Sequence, residues 1–139
     1  LPLMAGLSIS FDESLKGYGH EDSELSYRLI SNNITINQLH NPVYHKGIEL
    51  NKNYIIKQEE AIRNLVSLEE KGYPQLSTLQ HYYDSLGKMS SVLIQSVTPF
   101  RKTLRKLLVS GQSTFCLPLK ALQFYKLLFY INIKKQHSR

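Results

Sequence analysis

The residues with the clearest capacity for chemistry lie in FDESLKGYGHEDSELSYRL, residues 11–29. Gly17 and Gly19 bracket Tyr18, and two consecutive acids, Glu21 and Asp22, follow within three residues. Glycines let a backbone bend close to a ligand. An aromatic ring between them can offer its face to the apolar C–H face of a sugar. The paired carboxylates can accept hydrogen bonds from hydroxyl groups, and one can take a proton from an attacking hydroxyl as general base. A simpler reading of the same residues is a glycine-rich loop before a helix whose acids complement the helix dipole.

The elements that must position these residues follow from periodicity. Glu21, Asp22 and Glu24 open a helix that carries Leu25, Leu29 and Ile30 to about Ser31, and Asn32-Asn33 ends it. Ile34, Ile36 and Leu39 predict a short strand over 34–39. Asn51 is placed to cap a helix through about Lys71, with Ile55, Ile62, Leu65 and Leu68 on one face. Pro74 can sit in the first turn of another helix reaching about Leu86. Thr98-Pro99 opens a basic helix ending at Gly111, with Phe100, Leu104, Leu107 and Leu108 on one side and Arg101, Lys102, Arg105 and Lys106 on the other. The last helix, from about Pro118 to Lys134, is apolar nearly all round. Its uninterrupted run from Leu127 to Ile131 is far short of the roughly 20 residues of a membrane span.

Charge divides the 139-residue chain. Residues 1–84 hold eleven acids against seven Lys and Arg, a balance of −4, whereas residues 85–139 hold ten Lys and Arg and no acid. Such a block suits a polyanionic partner, and an anionic membrane surface along residues 99–135 is the expected one. Nucleic acid is not expected, because no recognition motif accompanies the charge. The lone Cys116 excludes an internal disulfide and cysteine-rich metal clusters. The N-terminal LPLMAGLSIS is too short for a span and has no basic run before it.

Phe11-Asp12-Glu13, Gly17-Tyr18-Gly19, Glu21-Asp22 and the helix from Leu25 to Leu29 resemble the acceptor-side motif of family 2 glycosyltransferases and their GT-A relatives. HNPVYHKGIELNKNYIIKQEEAIRNL, residues 40–65, is similar to the continuation in bacterial members. Together the two blocks cover roughly residues 11–70.

The resemblance implies an α/β fold for the family, with this chain mostly helical and holding one or two short strands. It implies that residues 1–71 form the C-terminal part of a catalytic domain and 72–139 a basic helical extension. Asp22 matches the catalytic base of inverting members. Glu21, Tyr18, Gly19 and His20 fall in the acceptor-binding stretch, where His20 replaces a small residue. His45 falls where some members place a ligand to Mn²⁺ or Mg²⁺, and His40 is the weaker candidate. The other metal ligands would lie outside this chain, which has no Asp-x-Asp and no nucleotide-binding α/β unit.

The expected function is therefore transfer of a sugar from a nucleotide-sugar donor to a glycan or lipid-linked acceptor. It fits bacterial surface polysaccharide synthesis at the cytoplasmic, inner face of the plasma membrane, with the chain as the acceptor-side piece. The alternative is a non-catalytic basic helical module that docks on a membrane or a partner.

Overall fold

The computed structural model describes residues 10–35, 37, 39–44, 50–87, 90–110 and 119–137, with 90–98 described by their backbone alone. Five helices follow one another: α1 Glu21–Ser31, α2 Asn51–Glu70, α3 Thr78–Ser85, α4 Ser90–Ser110 and α5 Leu119–His137. α2, α4 and α5 pack against one another, and α3 lies on α5. The loop before α1 rests on α2 and on Lys71 just beyond it through hydrogen bonds.

The α/β architecture expected from the resemblance does not form. Every element among the described residues is a helix, and there is no strand. The alternation over 34–39 predicted one, but the Ile34 N–H bonds back to the Leu29 carbonyl at 3.0 Å and the Leu39 carbonyl accepts the Asn41 N–H at 3.0 Å, both local bonds rather than a ladder, while Ile36 and Gln38 lie outside the described residues. A strand is held by hydrogen bonds to a second strand, and no other alternating run in the chain supplies them. Leu39, Val43 and Tyr44 instead stand in irregular chain, each more than four-fifths exposed.

α5 lies at the centre because its sequence is apolar on nearly every side. Tyr125, Leu128, Phe129, Tyr130, Ile131 and Ile133 are all buried. Against them α2 sets Ile55, Ile62, Leu65 and Val66, and α4 sets Leu104 and Leu108. Burial of such side chains contributes about 1.5–3 kcal/mol each, which outweighs the modest helix propensity of the β-branched and aromatic members. The Tyr83 and Tyr130 rings meet edge to face at 5.3 Å between centroids, joining α3 to α5.

α3 starts later than Pro74 suggests. The Ser77 hydroxyl accepts the Leu79 N–H at 3.2 Å, and Gln80 Oε1 accepts the Ser77 N–H at 3.0 Å. This reciprocal capping box satisfies two orphan donors at once, so it sets the helix start in preference to the proline. α4 starts earlier, at Ser90, and runs through Pro99.

The basic side of α4 also departs from its simple amphipathic pattern. Arg105 turns inward to Glu59 of α2, with Nε–Oε1 at 2.6 Å and a second bond of 3.2 Å. Arg101 lies over the Phe129 ring at 5.4 Å, opposite Arg63 at 5.1 Å. Glu59 is buried and accepts a further bond from the Tyr125 hydroxyl. Burial alone would raise the Glu59 pKa, but the Arg105 and Tyr125 hydrogen bonds outweigh it and hold this carboxyl below its ordinary value. At the far end, Tyr130 and Lys134 both donate to Glu69, and His137 Nδ1 lies 2.7 Å from Glu70, so α5 stays helical to His137.

Candidate functional site

The loop over residues 11–20 is shaped by turns in the left-handed region, with φ of +76° at Gly17, +99° at Gly19 and +71° at His20. Its base is fixed by Asp12. The Lys71 ammonium donates to Asp12 Oδ2 at 2.6 Å and to the Ser14 hydroxyl at 2.5 Å. The Ser14 N–H also donates to Asp12 Oδ1, at 2.9 Å. These hydrogen bonds, from Lys71 foremost, hold the Asp12 carboxyl well below the usual carboxylate range.

The Gly-Tyr-Gly turn rests on α2. The Tyr18 N–H donates to Glu60 Oε2 at 3.1 Å, and the Asn64 amide donates to the Gly19 carbonyl at 3.0 Å. Glu60 and Asn64 are four apart, on one face of α2. The close approach that both glycines permit is taken up by this helix. A Cβ on Gly19 would stand 2.5 Å from the Ala61 Cβ, and one on Gly17 would stand 2.7 Å from Glu60 Oε2. Gly19→Ala is therefore expected to destabilise the chain by about 3 kcal/mol, combining a positive φ with overpacking. Denaturant unfolding of a double-mutant cycle with Ala61→Gly checks the cause, with an expected coupling of about 1 kcal/mol or more. Additive effects would rule out the contact with α2 as the source.

α1 is held on the same surface. Glu24 is buried, receives Arg28 through two bonds of 3.0 and 3.1 Å, and accepts the Tyr73 hydroxyl at 2.6 Å. That hydroxyl's bond to Glu24 pushes the Tyr73 pKa up to about 12. Arg28 also reaches the Ser10 carbonyl at 2.6 Å.

Thus braced from behind, Tyr18, His20, Glu21 and Asp22 gather at the start of α1. Tyr18 is 48% exposed, with the Lys57 ammonium over its ring at 5.1 Å from the centroid. Asp22 is exposed. Its Oδ1 accepts the N–H of neighbouring Ser23 at 2.7 Å, and its Oδ2 has no partner among the described residues. Glu21 is half-buried, and its Oε2 is shielded from solvent with no hydrogen-bond partner.

His20 is half-buried as well. Burial pushes its imidazole below the ordinary value, against the pull of Asp22 and Glu21, and Lys126 of α5 pushes the same way as burial. The Lys126 ammonium is lowered by its own burial.

Ten of the eleven acids lie among the described residues, and most are engaged within the fold; Asp84 accepts the Gln75 amide at 3.3 Å, and Glu13 is exposed with no ion pair among the described residues. Asp12, Glu24, Glu59, Glu69 and Glu70 each face a Lys, Arg or His, and Glu60 accepts a backbone N–H. Glu21 and Asp22 face none of these cations within ion-pair distance among the described residues.

His40 and His45 are the remaining candidates. His40 is exposed in the irregular segment, and His45 lies outside the described residues. No group of three or more His, Cys, Asp and Glu side chains among the described residues is placed to hold a metal ion. A cleft of about 550 Å³ between α3 and α5 is lined by Tyr82, Leu86, Phe124 and neighbours, and none of the candidate residues borders it. Sequence reasoning missed the bracing residues Lys57, Glu60, Asn64, Lys71 and Lys126. The only signal for any of them was the pair of polar residues Glu60 and Asn64 interrupting the apolar pattern of α2.

Searches of known protein families, of curated proteins and of solved structures find no match to this chain.

Proposed function

We propose that the chain carries the acceptor side of a family 2-type glycosyltransferase, with Asp22 as the general base. The observation that carries this reading is the pair of acids without a cation, Glu21 and Asp22, beside the exposed ring of Tyr18 on a loop held rigidly from behind. Carboxylates that serve the fold are paired here, and a shielded, unpartnered oxygen such as Glu21 Oε2 is rare in a protein interior. A turn of the Glu21 side chain toward the ligand would bring that oxygen to an acceptor hydroxyl. The resemblance of residues 11–70 to the acceptor-side motif supports the same assignment.

In the reaction, a sugar lies with its C–H face on Tyr18 and donates one hydroxyl to Glu21. A second hydroxyl gives its proton to Asp22 Oδ2. Its oxygen forms the new bond to the anomeric carbon of the nucleotide sugar, the bond from that carbon to the diphosphate breaks, and the nucleoside diphosphate leaves. The donor half and any divalent cation it uses would come from outside the described residues, and the proton transfer to Asp22 needs neither. Burial keeps His20 neutral near pH 7, so it adds a hydrogen bond to the site without a fixed charge.

The test is a transfer assay on the natural protein, with acceptor varied at fixed donor. Tyr18→Ala removes about 40 Å² of stacked ring face, worth about 1 kcal/mol, and is expected to raise the acceptor KM about fivefold with donor KM unchanged. A change confined to the donor KM, or none in either, defeats the reading.

A further inference from the structure

We infer that the outer face of α4 docks on an anionic lipid surface. Over residues 99–110 the helix divides into two arcs. Leu104 and Leu108 enter the core, Arg101 stacks on Phe129, and Arg105 is spent on Glu59. What remains outside is Phe100 at 50% exposure, Leu107 at 51%, and the exposed Lys102, Thr103, Lys106 and Ser110.

At 3.6 residues per turn, Phe100 and Leu107 fall two turns apart on one edge of this face, and Lys102 and Lys106 line the other edge. Two large apolar side chains left in water beside two free ammonium groups match a headgroup region, where the first pair enters the acyl boundary and the second meets phosphates. The stretch of sequence that carries this face has the same sign, with ten Lys and Arg and no acid over residues 85–139. A nucleic acid would use the lysines but leave Phe100 and Leu107 unburied, so lipid is the better complement.

The inference does not rest on the sugar-transfer reading, since α4 carries none of the candidate site residues. Nor is it a matter of net positive charge alone, since Lys134 is bonded to Glu69 and Lys126 is half-buried. The arginines that sequence pattern would assign to this surface take no part in it.

Co-sedimentation of the chain with phosphatidylglycerol–phosphatidylcholine vesicles tests the proposal, with pure phosphatidylcholine vesicles as the comparison. Lys102→Ala with Lys106→Ala is expected to weaken partitioning to the anionic vesicles about 30-fold, at about fivefold per lysine. Phe100→Ala with Leu107→Ala is expected to weaken it about tenfold. Lys120→Ala with Lys135→Ala, which removes two exposed lysines of α5, is expected to change it less than threefold. All six side chains are exposed or half-exposed, so far-UV circular dichroism should be unchanged and any loss is one of binding. Failure of the wild-type chain to sediment with anionic vesicles overturns the inference and leaves an acidic protein as the occupant. Equal losses from the α4 and α5 lysine pairs overturn it in favour of unlocalised charge.

Discussion

Asp22→Asn is expected to lower kcat for sugar transfer by about a hundred- to ten-thousand-fold, the range spanned by a positioned general base. The substitution is nearly isosteric. The amide oxygen still accepts the Ser23 N–H that Asp22 Oδ1 receives at 2.7 Å, so the first turn of α1 is kept. What is lost is the basicity of an oxygen that no side chain of the described residues occupies. The loss should fall on kcat with the donor KM unchanged, because removing a proton acceptor weakens the transition state and leaves the ground-state complex intact. Steady-state rates on the natural protein, with circular dichroism as the folding control, measure it. A kcat within threefold of wild type would remove Asp22 from the chemistry. Glu21 could not then replace it unchanged, since Glu21 Oε2 is shielded from solvent where the Asp22 carboxylate is open.

Arg105→Ala is expected to cost more stability than Glu59→Ala, about 3 kcal/mol against about 2. The two substitutions break the same pair but strand different groups. Without Arg105, the Glu59 carboxylate stays at 6% exposure with only the Tyr125 hydroxyl as donor. Without Glu59, the Arg105 side chain, already 41% exposed, swings into water, and the Tyr125 hydroxyl is the group left unpaired. Desolvation of a stranded charge is dearer than that of a hydroxyl.

The pH dependence separates the two cases further. In the wild type the Glu59 pKa lies below its ordinary value, so its contribution is complete above about pH 4.5 and is lost as the pH falls from there. In Arg105→Ala the largest of the effects that lower the Glu59 pKa is gone, and only the Tyr125 hydrogen bond and the Arg63 charge still oppose burial, so the folded pKa is expected to lie above its wild-type position. Lowering the pH then costs the variant less stability than the wild type, and the gap between them narrows. Urea unfolding at pH 7 and pH 4 reads both effects. A smaller loss for Arg105→Ala than for Glu59→Ala, or a gap that widens in acid, would contradict the account.

The legible part of this protein is the part governed by local period and composition. The spacing of Ile55, Ile62, Leu65 and Leu68 marked α2, and all four are buried. The helix read from about Pro118 to Lys134 as apolar nearly all round is α5, Leu119–His137, and its central place in the packing came only with the structure. Glu21, Asp22 and Glu24 placed the start of α1 correctly, because the preference of acids for a helix N-terminus is a property of the helix itself. Ser77 and Gln80 also held the capping signal that sets the start of α3, although Pro74 drew attention away from it.

Period alone could not decide between a strand and irregular chain over 34–39. Alternation describes which faces a strand would offer, and only a neighbour at hydrogen-bonding distance makes it a strand.

What the sequence determined by itself is the set of helices, the charge asymmetry between residues 1–84 and 85–139, and the presence of a glycine-flanked tyrosine before two acids. Only the tertiary structure decided which charges are used and which are left. Asp12 meets Lys71 across 59 residues, and Glu59 meets Arg105 across 46. Pairings at that separation depend on how whole helices pack, and nothing in local spacing encodes them. By committing those carboxylates and Arg105 to the fold, packing leaves Glu21 and Asp22 uncommitted on one surface and Lys102 and Lys106 on another. The physical reason is desolvation: a charge carried inward is stabilised by a partner, as for Asp12 and Glu59, whereas Asp22, Lys102 and Lys106 stay in water and keep their capacity to meet a ligand.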